Sequence, residues 1–147
     1  MLALVRPDSW NFPLFLHVLG AILLWGGMAA VVVVAIAARR SRAHAALLSR
    51  LAFRILVLAV VPAWILMRVG AQLIAAKEFP DKVPGWVDVG FAVSEPGLIL
   101  LIAIGIVAFL SARKGGTGRL ATAVAVLAPI YLLALGVAMW AMTAKPG

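Results

Sequence analysis

Residues 14–42 read LFLHVLGAILLWGGMAAVVVVAIAARRSR. From Leu14 to Ala38 the one ionisable side chain is His17, and the run then stops on Arg39, Arg40 and Arg42. A helix rises about 1.5 Å per residue and the hydrocarbon core of a bilayer is about 30 Å thick, so about 20 apolar residues cross it. This run is long enough, and the arginines that end it mark a cytoplasmic boundary. Val31, Val32, Val33 and Val34 would favour a strand in water. In lipid a single segment must satisfy its own backbone hydrogen bonds, so the run is predicted to be a helix.

Working outward, three further runs have the same character. The predicted spans cover residues 12–38, 47–76, 92–111 and 120–142. The chain of 147 residues is 65% hydrophobic and 12% charged, with a mean hydropathy of +1.14, well above the apolar share of a soluble domain. The predicted fold is all-α: one polytopic domain over residues 1–147, a four-transmembrane-helix bundle. Residues 1–11 lack a basic n-region, so the first span is expected to remain as an anchor rather than leave as a signal peptide. With no cysteine, disulfides, zinc thiolates, iron–sulfur clusters and c-type haem attachment are excluded.

The connections set the orientation. Residues 39–54 hold Arg39, Arg40, Arg42, Arg50 and Arg54 without an acid, and residues 113–119 hold Arg113, Lys114 and Arg119. The middle connection is balanced, with Lys77, Glu78, Asp81, Lys82 and Asp88. Both basic loops are therefore expected in the cytoplasm and both termini outside, N-out/C-out, in a bacterial inner membrane. Trp10, Trp86 and Trp140 then fall at the outer boundary as an aromatic belt. The net charge of +8 follows from this topology, and the expected partners are the bilayer, other membrane subunits or a second copy, with no nucleic acid. Pro80, Pro84 and Gly85 predict a short interfacial segment. Ser94-Glu95-Pro96-Gly97 predicts a helix start, with Ser94 as N-cap and Pro96 in the first turn, and Pro13 does the same for the first span. Pro129, inside the fourth span, frees the carbonyl of Ala125. Residues 115–118, GGTG, lack the strand and spacing of a phosphate loop and predict a tight turn. Gly20, Gly27, Gly97, Gly105 and Gly136 are read as packing positions.

Two side chains carry the functional reading. His17 and Arg68 lie at similar depths below the outer boundary. Trp64, Arg68 and Gln72 follow one another at i, i+4, i+8 and make a polar stripe. The same face continues through Ile65, Val61, Leu58 and Arg54, and is expected to point into the bundle. Glu95 marks the outer mouth of the third span, with Asp88 just before it. An intramembrane arginine costs about 2.5–3.5 kcal/mol on the lenient scale, so it has a partner. Either Arg68 pairs internally with Glu95 or Asp88, or it clamps an anion: a haem propionate, a lipid headgroup or a carboxylate. His17 has three readings: an interhelical hydrogen bond, a haem or metal ligand, or a proton or quinone site. His44 lies at the opposite face, about 25 Å away across the membrane, so the two histidines cannot share an ion. Haem at His17 would take Met, Tyr, water or a second protein as its other axial ligand, with Met67 and Met139 in reach by depth. No nucleophile sits beside a base, no carboxylate pair lies within a span, and HExxH is absent, so the expectation is a non-enzymatic protein.

The first span, FLHVLGAILLWGG at residues 15–27, resembles the first helix of a loose set of bacterial four-helix membrane proteins. These are uncharacterised integral membrane proteins carrying a domain of unknown function, with more distant similarity to the copper-resistance D type and to HemJ-like membrane proteins of the haem pathway. By this resemblance His17 matches the family histidine, and Trp25, Gly26 and Gly27 match the small-residue turn. In the haem-associated members this histidine is implicated in haem binding, so the resemblance implies His17 as the ligand where haem b is the cofactor, and leaves the cofactor itself open. The combined expectation is a polar outer-leaflet pocket of His17, Trp64, Arg68, Gln72 and Glu95 that binds a cofactor or small anionic ligand, haem among them. The alternative is an accessory subunit of a larger membrane complex, such as a respiratory one.

Overall fold

A computed structural model describes residues 8–78 and 84–144, without the side chain of Trp86. Pro80, Asp81 and Lys82 of the expected interfacial segment therefore lie outside the described residues, as does the stretch before Asp8. After a short 3-10 turn at Asp8–Trp10 come α1 (Asn11–Arg40), a turn at Arg42–His44, α2 (Ala45–Ile55), a π-helical segment at Leu56–Val60, and α3 (Val61–Glu78). Then follow α4 (Gly85–Arg113) and α5 (Gly118–Ala144), with no strand among the described residues. Four helical stretches are long and apolar enough to cross a membrane: Asp8–Arg40, Arg42–Glu78, Val87–Arg113 and Gly118–Ala144.

The start of α4 corrects the sequence reading. The helix begins at Gly85, capped by Pro84 in extended backbone at φ −66° and ψ 148°, so Ser94 and Pro96 lie well inside it. A proline disfavours helix at the residue before it and removes one backbone bond, but a long apolar helix in lipid tolerates both. Pro96 removes one rung, the bond to the Ala92 carbonyl, from a helix of 29 residues. Pro13 does fall in the first turn of α1, and Pro129 does lie inside α5.

The second span changes pitch halfway. Across Leu56–Val60 the N–H of Val61 reaches back to the carbonyl of Leu56, one residue further than in an α-helix. Pro62 follows at once, with no N–H to offer the Leu58 carbonyl. Such inserted turns locally redirect a helix. The consequence is visible in the packing. Helix α1 lies against α2, α3 and α5, and α4 lies against α5 and α2, but α3 and α4 scarcely meet. The bundle is therefore closed at the end with the two basic connections, where the Phe53 and Phe109 rings sit 5.4 Å apart. It is open between α3 and α4 at the end nearer the termini.

Small residues set the closest contact. A methyl group on Gly20 of α1 would strike the backbone of Met67 and Ala63, and one on Gly70 of α3 would strike the backbone of Pro13 and His17. The two glycines thus let the antiparallel α1 and α3 touch backbone to backbone. Gly27 meets Val60, and Gly97 meets the Tyr131 ring. Gly105 meets nothing within 4 Å, so its expected packing role is withdrawn. The predicted turn at residues 115–118 is present: Gly115, Gly116 and Gly118 have φ of 80°, 74° and 78°. Gly116 also lies against the Ala45 carbonyl, where no side chain fits.

The inward face of the second span differs from the expected one. Leu56, Val60, Ala63, Gly70 and Ile74 are buried, whereas Leu58, Val61 and Ile65 are exposed. Ala63 and Gly70 admit α1 closely, so the small residues take the inside and the Trp64–Arg68 row is displaced to the flank. The whole molecule follows the same size order. Much of its buried core is alanine, while Leu58, Ile99 and Leu133 are each more than 70% exposed, at 74%, 72% and 71%.

Candidate ligand site in the open end of the bundle

Where α3 leaves α4, a cavity of about 380 Å³ remains, walled by α1, α3, α4 and α5. Its wall is mostly hydrocarbon, including Leu14, Ile22, Trp25, Ile74 and Phe91. Polar side chains on it are His17, Arg68, Glu78, Ser94 and Thr143. His17 and Arg68 thus share one cavity, whereas Trp64, Gln72 and Glu95 do not line it.

His17 is placed by the glycine contact. Because Gly70 sits beneath it and Gly20 draws α3 close, the ring reaches across to the main chain. Its Nδ1 lies 3.0 Å from the carbonyl oxygen of Met67. A carbonyl only accepts, so Nδ1 carries the proton and donates. In the neutral ring Nε2 then keeps its lone pair. No partner for Nε2 is present among the described residues.

Arg68 is placed at the mouth between α3 and α4. Its Nη2 donates to Glu95 Oε1 at 2.8 Å. One turn further along α3, the side-chain oxygen of Gln72 accepts from Nη1 at 3.0 Å and Nη2 at 2.8 Å. The guanidinium also lies over the Phe91 ring, 4.8 Å from its centroid. Of the two pairings expected for Arg68, the one with Glu95 forms, and Asp88 takes no part in it. The arginine side chain is 17% exposed and the glutamate 63%. The pair is thus a bridge across the gap, buried on the α3 side and open on the α4 side. Its charge is met within the protein, which leaves little attraction for an added anion.

Three buried polar atoms next to this region have no hydrogen-bond partner: Trp64 Nε1, Ser94 Oγ and Tyr131 Oη. Ser94 is 7% exposed and lies on the cavity wall. Gly97, one turn on from Ser94, receives the Tyr131 ring, whereas Tyr131 itself does not line the cavity. Buried polar groups in folded proteins are nearly always paired, with protein, water or ligand, and of these three atoms only Ser94 Oγ belongs to a residue on the cavity wall. The helix-start reading of Ser94 hid this role. Tyr131 carried a usable signal, as the one tyrosine of the chain, set in the middle of an apolar span.

At the closed end the expected separation of the two histidines holds. His44 Nδ1 and Ser41 Oγ share a hydrogen bond of 3.0 Å in the turn between α1 and α2. No group of three or more histidine, cysteine, aspartate or glutamate side chains able to hold a metal ion occurs among the described residues. Lys77 Nζ donates to the Ser9 carbonyl at 2.7 Å and ties the end of α3 to the start of α1. Comparison with known proteins finds no match: no family model fits the chain, and neither a curated protein nor a solved structure matches it.

Proposed function

We propose that the chain is a four-span protein of a bacterial cytoplasmic membrane that binds a largely apolar ligand in the cavity beside His17. Its termini and the open end of the bundle face outward, and its basic loops face the cytoplasm. Placement in lipid is supported by the size order of the residues. Small side chains inside and large apolar ones outside suit a hydrocarbon solvent and would be a liability in water. The orientation is supported by the arginines at one end of the bundle.

The observation that carries the binding reading is the cavity itself: mostly apolar, of ligand size, with the ring of His17 and the unpaired hydroxyl of Ser94 on its wall. Binding sites for small molecules commonly have about this volume and this sparse polarity. The reading is of a binding protein, and no catalytic step is assigned to it.

Haem b, which the resemblance of the first span leaves open, fits only in part. An imidazole whose Nδ1–H is held by a carbonyl is well set to ligate iron through Nε2, and Met139 lies on the same wall. The propionates would need a cation, and Arg68 is already held by Glu95, Gln72 and Phe91. No step is therefore derived through haem.

The test is to purify the protein from its membrane in lipid nanodiscs and ask what stays with it. Visible spectra, oxidised and dithionite-reduced, report haem; solvent extraction with mass spectrometry reports any other small molecule. One stoichiometric molecule, lost when Ala138→Phe fills the cavity wall, is expected. A folded protein that retains nothing and instead purifies with fixed partner subunits would replace this reading with the accessory-subunit one.

A further inference from the structure

Resting on that binding reading, we infer that the ligand is a neutral, lipid-soluble molecule with a hydroxyl head, of the phenol or quinol type, and not an anion. The first reason is the tautomer of His17. With Nδ1–H given to the Met67 carbonyl, the remaining ring nitrogen offers a lone pair, and what it takes from a ligand is a hydrogen-bond donor. A carboxylate, a phosphodiester or a quinone carbonyl has none to give.

The second reason is Ser94. Its hydroxyl is buried, unpaired and on the same wall. It can donate to an oxygen of the same ligand whose hydroxyl donates to His17, since both side chains face one cavity. The third reason is Arg68, whose charge is met by Glu95 and Gln72 and whose flat face is covered by Phe91.

The route to the cavity fits the same class. The wall is incomplete where α3 and α4 part, and beside the Arg68–Glu95 bridge these two helices expose apolar side chains, among them Val69, Leu73 and Ile99. A molecule dissolved in the bilayer reaches the site sideways, with its tail left among those side chains and its head turned inward to His17.

Three probes of matched shape separate the possibilities: para-heptylphenol, which donates; para-heptylanisole, which cannot; and para-heptylbenzoate, which is charged. Binding is read as radiolabelled probe taken up by protein-loaded nanodiscs in excess of empty ones. The phenol is expected to bind roughly three- to tenfold more tightly than the anisole, the gain of one net hydrogen bond. His17→Asn is the decisive variant. Its amide can still donate to the Met67 carbonyl from the Nδ1 position, but nothing stands where Nε2 was. The phenol should fall to the level of the anisole while the folded protein is retained. His17→Gln, which presents a group at the Nε2 position instead, should keep part of the preference. Equal binding of phenol and anisole by the unaltered protein overturns the hydroxyl inference and leaves the cavity reading standing. Tightest binding by the benzoate, abolished in Arg68→Gln, overturns it in favour of an anion. Failure of all three probes to exceed empty nanodiscs overturns the cavity reading and this inference together.

Discussion

Arg68 and Glu95 form an asymmetric pair, and the asymmetry decides what each substitution does. Glu95 is largely exposed, so without its partner it remains solvated at the boundary. Arg68 is largely buried, so without Glu95 it keeps its charge in an apolar flank with one amide and one aromatic ring. Leaving a buried charge short of a partner costs more than removing both members of a pair. Glu95→Gln is therefore expected to destabilise the bundle by about 1 kcal/mol, in the range of polar contacts within membrane proteins. The double variant Arg68→Met with Glu95→Gln should be no less stable than Glu95→Gln alone. Reversible unfolding of the two singles and the double in mixed micelles closes the cycle. Additive losses would mean that the pair is not coupled. The partnership is one of the alternatives the sequence leaves open, because an intramembrane arginine demands a partner and Glu95 and Asp88 stand at the outer mouth of the third span. The hydrogen bond of His17 was one of three open readings. Its partner was not legible, because a main-chain carbonyl leaves no mark in the side-chain pattern.

Helix packing shows why polarity misled the reading of the second span. In water the polar face of a helix points out and the apolar face in, and the eye transfers the rule to lipid by inverting it. Within a bilayer, apolar residues serve equally well inside and outside, so the choice falls to size. Ala63 and Gly70 let α1 approach, and they, not Trp64 and Arg68, define the inside. The effect is measurable at single glycines. Gly20→Ala and Gly70→Ala place a methyl group into the backbone of the facing helix, and overpacking of this kind costs about 1–3 kcal/mol. Gly26→Ala and Gly105→Ala meet nothing within 4 Å and gain helix propensity, so they should be neutral or slightly stabilising. Thermal unfolding of the four variants checks the contrast. If all four behave alike, the close α1–α3 contact is wrong. The four spans were readable from length and hydropathy, and their loops from charge. The early start of α4 and the turn at Leu56–Val60 were not read. In both cases the proline is ambiguous in sequence: Pro96 has the pattern of a helix start yet lies inside α4, and Pro62 directly follows the change of pitch.

At the scale of the molecule, the closed basic end and the open terminal end make a polarised object. Arg39, Arg40, Arg42, Arg50, Arg54, Arg113 and Arg119 are all exposed and all lie at the closed end. Arg113 lies over the Phe109 ring, 5.6 Å from its centroid. That leaves its stem against hydrocarbon and its charge free to meet headgroups, as long cationic side chains do at a membrane border. The opposite end holds the cavity mouth, the Arg68–Glu95 bridge and the exposed ring of Trp140. Under the proposed reading a membrane-soluble ligand is bound on one side of the bilayer only, so the orientation decides which compartment's chemistry the protein serves. The absence of cysteine makes orientation directly testable, since any introduced thiol is the sole one. Ala43→Cys lies in the turn between α1 and α2, Thr117→Cys in the turn between α4 and α5, and Thr143→Cys at the end of α5, and all three positions are exposed. In intact cells a membrane-impermeant maleimide should label Thr143→Cys and leave the other two unlabelled until the cells are broken. The reverse pattern would turn the cavity toward the cytoplasm, and its ligand would then have to be sought in the inner leaflet.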